Sequence, residues 1–220
     1  MNYKELEKYL FDISDQKFAS FSKSLSNSEY ISIGVKNPVL KSIVKEHVSD
    51  KNLKIEDFEL GKYLEVDYCY FALSLSRLAT IDEQLEFLSN NIYKAKSWAV
   101  TDCLSSYMKK MPFEKYWDFF LKNNDSPYTF TRRMSYVLGL KCYKDKRILG
   151  TLPYIQKDEE YMVMMAEAWL LATVAICYED EIFDYLSKCE EITLKRKTIS
   201  KICDSFRFNE ETKQRFKTLR

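Results

Sequence analysis

The sequence predicts an all-α protein, an α-solenoid of HEAT-like helical repeats, and three observations carry that expectation. Only four glycines and four prolines interrupt 220 residues, too few to supply the turns of a many-stranded β architecture. Apolar residues recur at helical spacing from end to end, beginning with Leu6, Tyr9, Leu10 and Ile13. The breaks between these stretches are short and polar, and helix pairs succeed one another every roughly 30 to 40 residues, near the period of HEAT and armadillo arrays. No heptad is sustained, which favours stacked pairs over a four-helix bundle. Such arrays curve and present a concave surface, where a ligand is expected. The length is enough for one continuous core, so residues 1–220 are expected to form a single HEAT-like repeat domain.

Taken in order, the elements have local reasons. The Leu6 to Ile13 stripe opens the chain as a helix. After Gly34, Pro38 suits the first turn of a helix because its missing amide donor is not needed there. Asn37 just ahead is placed to cap it, and Val39, Leu40, Ile43 and Val44 form its apolar face. Further helices are expected over about 55–63, 66–78, 81–90, 97–110, 112–122, 127–143, 147–155, 161–177, 179–187, 191–205 and 209–218. Short connections such as Lys122 to Pro127 and Tyr178 to Asp180 make sequential helices antiparallel neighbours. The stretch from Met162 to Ile176 is almost continuously apolar and reads as a buried helix, with Glu167 as a polar exception that marks the concave edge.

Composition narrows the function classes. The six cysteines are scattered, without a Cys-x-x-Cys pair, and His47 is the only histidine. A zinc site is therefore not expected, and buried free thiols are. No cofactor is expected either. The N-terminus lacks the apolar stretch of a signal peptide and no run of about eighteen apolar residues occurs, so a cytoplasmic protein without a membrane partner is expected. The formal net charge is only +1, but residues 131–149 and 191–220 each carry an excess of five positive charges, with acids dominating between Asp158 and Glu190. That segregation permits one basic face; it is equally the pattern of solvated faces on amphipathic helices.

The stretch Ser97-Trp98-Ala99-Val100-Thr101-Asp102 places an indole and a carboxylate four residues apart at the start of a helix, on one face. Later helices add Arg132, Arg133 and Trp169; periodicity does not separate the two arginines. Cys103 has no local base, and an inert thiol is expected there.

These residues carry a family resemblance. The Ile33 to Lys41 turn, the Ser97-Trp98-x-x-x-Asp102 helix start, the Thr131-Arg132-Arg133-Met134 segment and the Ala166 to Leu171 helix resemble, in order and spacing, the AlkD-like DNA alkylation repair proteins, which are built of HEAT-like repeats. The resemblance implies a DNA glycosylase that removes N3- or N7-alkylated purines from double-stranded DNA. It implies that Asp102 is the catalytic carboxylate, that Trp98 and Trp169 flank the sugar of the damaged nucleotide, and that Arg133 holds the DNA backbone. The lesion in such enzymes stays stacked in the duplex.

That chemistry suits these residue types. A cationic alkylpurine is already a good leaving group, so the remaining task is to stabilise the positive sugar, which a fixed carboxylate does electrostatically while orienting water. Indole faces add cation–π attraction of about 0.5 to 2 kcal/mol per contact, and a guanidinium fork suits phosphate. No metal is required. A second reading is a non-catalytic helical-repeat module binding DNA or a protein partner, motivated by Leu25 where active relatives can present an aromatic residue and by Ala172 where they usually carry arginine. A monomer is expected in either case.

Overall fold

The computed structural model describes residues 1–26, 29–155 and 158–220. The chain is all-α, as its composition predicts. Among the described residues the only extended pairing is a single parallel bridge between Ile31 and Tyr63. The helices group into two compact units, Met1–Lys110 and Met111–Arg220.

The first unit holds α1 (Tyr3–Asp12), α2 (Gln16–Ser26), α3 (Asn37–His47), α4 (Leu64–Arg77), α5 (Ile81–Asn91) and α6 (Trp98–Leu104), with short 3-10 turns at Ile55–Asp57, Ile92–Lys94 and Ser105–Tyr107. Its centre is α4, in which every residue from Leu64 to Leu75 is buried. A helix covered on all sides must find partners for its polar groups, and α4 does so by gripping loops. Glu65 accepts backbone N–H groups from Ile33, Gly34 and Val35 and the Ser32 hydroxyl, which holds the 32–35 turn ahead of α3. Gly34 has φ +99°, and a Cβ there would sit 2.2 Å from the Asp15 carbonyl, so both conformation and space require glycine. Asp15 in turn accepts from the Lys17 and Phe18 amides and caps α2.

The second unit holds α7 (Phe113–Asn123), α8 (Thr129–Gly139), α9 (Tyr161–Val174), α10 (Glu179–Ser187), α11 (Ile192–Asp204) and α12 (Glu210–Lys217), with a 3-10 segment at Lys146–Tyr154. Its centre is the apolar α9, which packs on both α8 and α11. Between α7 and the 3-10 segment, Trp117 stacks against Phe113 and Phe120 and meets Tyr154 edge-on. The third tryptophan, half-buried, is thus a packing residue of this aromatic cluster.

Several expectations are corrected. The helix expected over 55–63 is only the turn Ile55–Asp57, because Gly61 adopts φ +88° and donates its amide to Asp67 of α4. Asn37 does not cap α3: Lys36 occupies the cap position without a side-chain bond, and Asn37 is the first helical residue. The helix expected over 97–110 ends at Leu104 and tightens into a 3-10 turn. The segment 147–155 is 3-10 rather than α, with Pro153 inside it. Helix α2 is an addition that the weak apolar pattern among its serines did not announce. Free thiols are also less uniformly buried than expected: Cys69, Cys142 and Cys189 are buried, Cys103 and Cys203 half-buried, and Cys177 exposed.

Candidate functional site

The candidate residues divide between the units, with Trp98 and Asp102 in the first and Arg132, Arg133 and Trp169 in the second. Helix α6 begins where the sequence predicts because the buried Ser97, in extended conformation, accepts the Ala99 amide at 3.2 Å. The approach to this cap is fixed from α4. Asp67 accepts the Tyr30 hydroxyl and the Gly61 amide, and the Tyr30 oxygen accepts the Lys96 amide at 3.0 Å, two residues before Trp98. Burial pushes the Asp67 carboxyl up to about 6 and drives the Tyr30 phenol well above its ordinary value. The Lys96 ammonium reaches back to the Gly61 carbonyl and closes the link.

Trp98 is half-buried at the rim of a cavity of about 200 Å³ that Phe18, Phe21 and Leu25 of α2 and Leu40 of α3 line with it. Phe21, one turn before Leu25 on the same face, is 56% exposed and places an aromatic ring in this lining. Sequence reasoning missed it with the rest of α2; the recurrence Phe18, Phe21, Leu25 is the signal that was there to read. Asp102 is half-buried and receives the Thr101 hydroxyl at 3.2 Å. Its neighbour Cys103 receives the Asn37 side-chain amide at 3.5 Å. Burial, and next the charge of Asp102, raise the thiol, which makes Cys103 the poor nucleophile expected.

In the second unit the two arginines differ sharply. Arg132 forms a two-pronged ion pair with Asp158 and donates to the Ser126 carbonyl, at the edge of an acidic cleft that Asp125 and Glu160 also line. Arg133 is buried, 5% exposed, and donates to the Met162 carbonyl at the start of α9. Trp169 is half-buried and lines a cavity of about 320 Å³ with Ala172, Thr173, Lys201 and Arg207. Cations from α11 and the turn after it, Lys201 and Arg207, thus stand around Ala172 and Trp169. Glu167, read from the sequence as marking the concave edge, is buried at 1% exposure. It faces Tyr136, whose phenol is raised by burial first and then by that carboxylate. Among the described residues no cluster of three or more histidine, cysteine or acidic side chains is arranged to hold a metal ion, and no helix is long and apolar enough to cross a membrane.

An all-helical scaffold with half-buried indoles on α6 and α9 defines a class within which kinship decides the rest. A family model for the DNA alkylation repair enzyme matches residues 6–204, and the chain belongs to that family. Among solved structures it resembles a predicted DNA alkylation repair enzyme from Enterococcus faecalis, with TM-score 0.69 and 15% identity over 87% of this chain and 98% of that one. That likeness concerns the fold. A search of curated proteins returns no match.

Proposed function

We propose that the protein is a DNA N-glycosylase that hydrolyses the glycosidic bond of N3- or N7-alkylated purines in duplex DNA. The observation that carries the reading is family membership across residues 6–204 with a carboxylate at 102, an indole at 98 and a second at 169. The C1′–N9 (purine) bond breaks with its electron pair leaving on the cationic base, which becomes neutral. The positive charge then lies on the sugar, where Asp102 stabilises it, and water adds at C1′ and gives up its proton to the Asp102 carboxylate, which passes it on to solvent. Trp98, one turn before Asp102 on α6, supplies an indole face toward that cation, and the resemblance gives Trp169 the same role. The resemblance makes Arg133 the phosphate contact, but its guanidinium is buried against the Met162 carbonyl and Arg132 is matched by Asp158, so either arginine reaches phosphate only by exchanging those bonds for bonds to DNA.

The test is release of free base from a duplex containing N7-methylguanine. Wild type is expected to release base above the spontaneous rate, and Asp102→Asn, which keeps shape and removes charge, to slow release by about 10² to 10³. No release by wild type above background overturns the assignment.

The second reading, a non-catalytic module for DNA or a protein partner, is favoured by Ala172 and by the pairing of Arg132 with Asp158. It predicts salt-dependent duplex binding without base release.

A further inference from the structure

In the second unit a basic stripe on α11 ends at a fully exposed aromatic ring. Leu194, Thr198, Ile199 and Ile202 are the buried face of α11, which leaves positions 193, 196, 197, 200, 201 and 204 as a polar stripe at spacings of three and four. Arg196 and Lys197 line one cavity along that stripe, of about 740 Å³. Lys201 and Arg207 line the next, of about 320 Å³, together with Trp169. The stripe from Thr193 to Asp204 is about 16 Å long at the rise of an α-helix. Its one acid, Asp204, accepts the Ser200 hydroxyl, so four cations face one carboxylate along its length and at its end.

Phe206 lies where the stripe stops. It is 102% exposed, more than any other large apolar side chain among the described residues. The turn that carries it is anchored: the Ser205 amide closes onto the Ile202 carbonyl, the Ser205 hydroxyl accepts the Arg207 amide, and Phe208 is buried. The ring is therefore held out from the surface by fixed backbone, between cations on α11 and the exposed Arg207. A phenyl ring left wholly in water is unfavourable for the free protein. Beside a row of cations it fits a polyanion that also offers flat apolar faces, and duplex nucleic acid combines the two.

We propose that α11 is a phosphate track for duplex DNA and that Phe206 is an apolar wedge at its end, entering a base step while Arg207 holds the adjoining phosphate. This inference rests on the DNA reading above and adds to it a contact surface on the second unit. Because Phe206 makes no folded-state packing, Phe206→Ala leaves the thermal unfolding midpoint unchanged.

The experiment measures binding of a fluorescent duplex across a salt series by wild type, Phe206→Ala, Phe206→Trp and Arg207→Ala, with base release from an N7-methylguanine duplex measured in parallel. Phe206→Ala is expected to bind about tenfold more weakly with an unaltered slope of log affinity against log salt. Phe206→Trp restores the affinity, and Arg207→Ala lowers the slope by about one. Wild-type binding that Phe206→Ala leaves intact overturns the wedge even if base release proceeds normally. Binding with the expected variant pattern but no base release supports the wedge and overturns the glycosylase assignment alone. Absence of duplex binding by wild type at low salt overturns both.

Discussion

Arg132 and Arg133 are adjacent in sequence and opposite in circumstance. The Arg132 guanidinium lies flat against Asp158 and is compensated where it stands, while Arg133 is buried and anchored by the Met162 carbonyl. A charged donor lost from such a place removes both its hydrogen bond and its packing. Arg133→Ala is therefore expected to lower the free energy of unfolding by about 2 kcal/mol, read from urea titrations. An unchanged urea midpoint and slope would mean that the guanidinium is not part of the folded core. Periodicity could not separate these two residues, because α8 is buried almost all round from Thr131 to Gly139 and so offers no alternation of faces, and what distinguishes them is their partners. Asp158 and Met162 lie 26 and 29 residues further along the chain. Pairings of that reach leave no local trace in sequence.

At the scale of elements, legibility followed the strength of the local signal. Helices with apolar stripes and clear starts, such as α5 with its Thr80–Glu83 capping box, lie where expected. Helix α9 was readable from apolarity alone, and so was its burial. The expected helix over 55–63 failed because a glycine there serves the turn, with its amide committed to Asp67 across α4. Asn37 failed as a cap for a similar reason. Glu65 already fixes the turn before α3 through three backbone amides, so the helix starts without a side-chain cap. Of the candidate site, the α6 start, with Ser97, Trp98 and Asp102, could be read from spacing; Phe21 left only the faint recurrence Phe18, Phe21, Leu25 among serines, and the cations around Trp169 left no local signal. They reach those cavities from α2, α11 and the turn after α11, and only tertiary packing brings them there.

At the scale of the whole molecule, the buried Asp67 links stability to pH. Its folded-state value, raised by burial from 3.8 to about 6, means that the folded chain holds this proton more tightly than the unfolded chain. The contribution of Asp67 is then greatest below pH 4, falls as pH rises through the interval up to about 6, and is level above it. The size of the change is on the order of 2 to 3 kcal/mol. Asp67→Asn does not titrate, so the difference in unfolding free energy between wild type and this variant should shift by that amount between pH 4 and pH 7.5, in the direction of relatively less stable wild type at the higher pH. Parallel stability curves for the two proteins would refute the linkage.

The link from Asp67 through Tyr30 to the Lys96 amide has a kinetic counterpart. Lys96 stands outside any helix, two residues before Trp98, and its amide is held by a phenol that a buried carboxylate fixes in place. An amide in such a loop ordinarily trades its hydrogen with solvent quickly. Here it can do so only when the Tyr30 hydroxyl lets go, an opening that loosens the backbone leading into α6. The Lys96 amide is therefore expected to exchange for deuterium as slowly as the interior of α4, and in Tyr30→Phe to exchange at the rate of an unprotected loop. The exchange clock of that one hydrogen reports how often the backbone ahead of Trp98 comes loose.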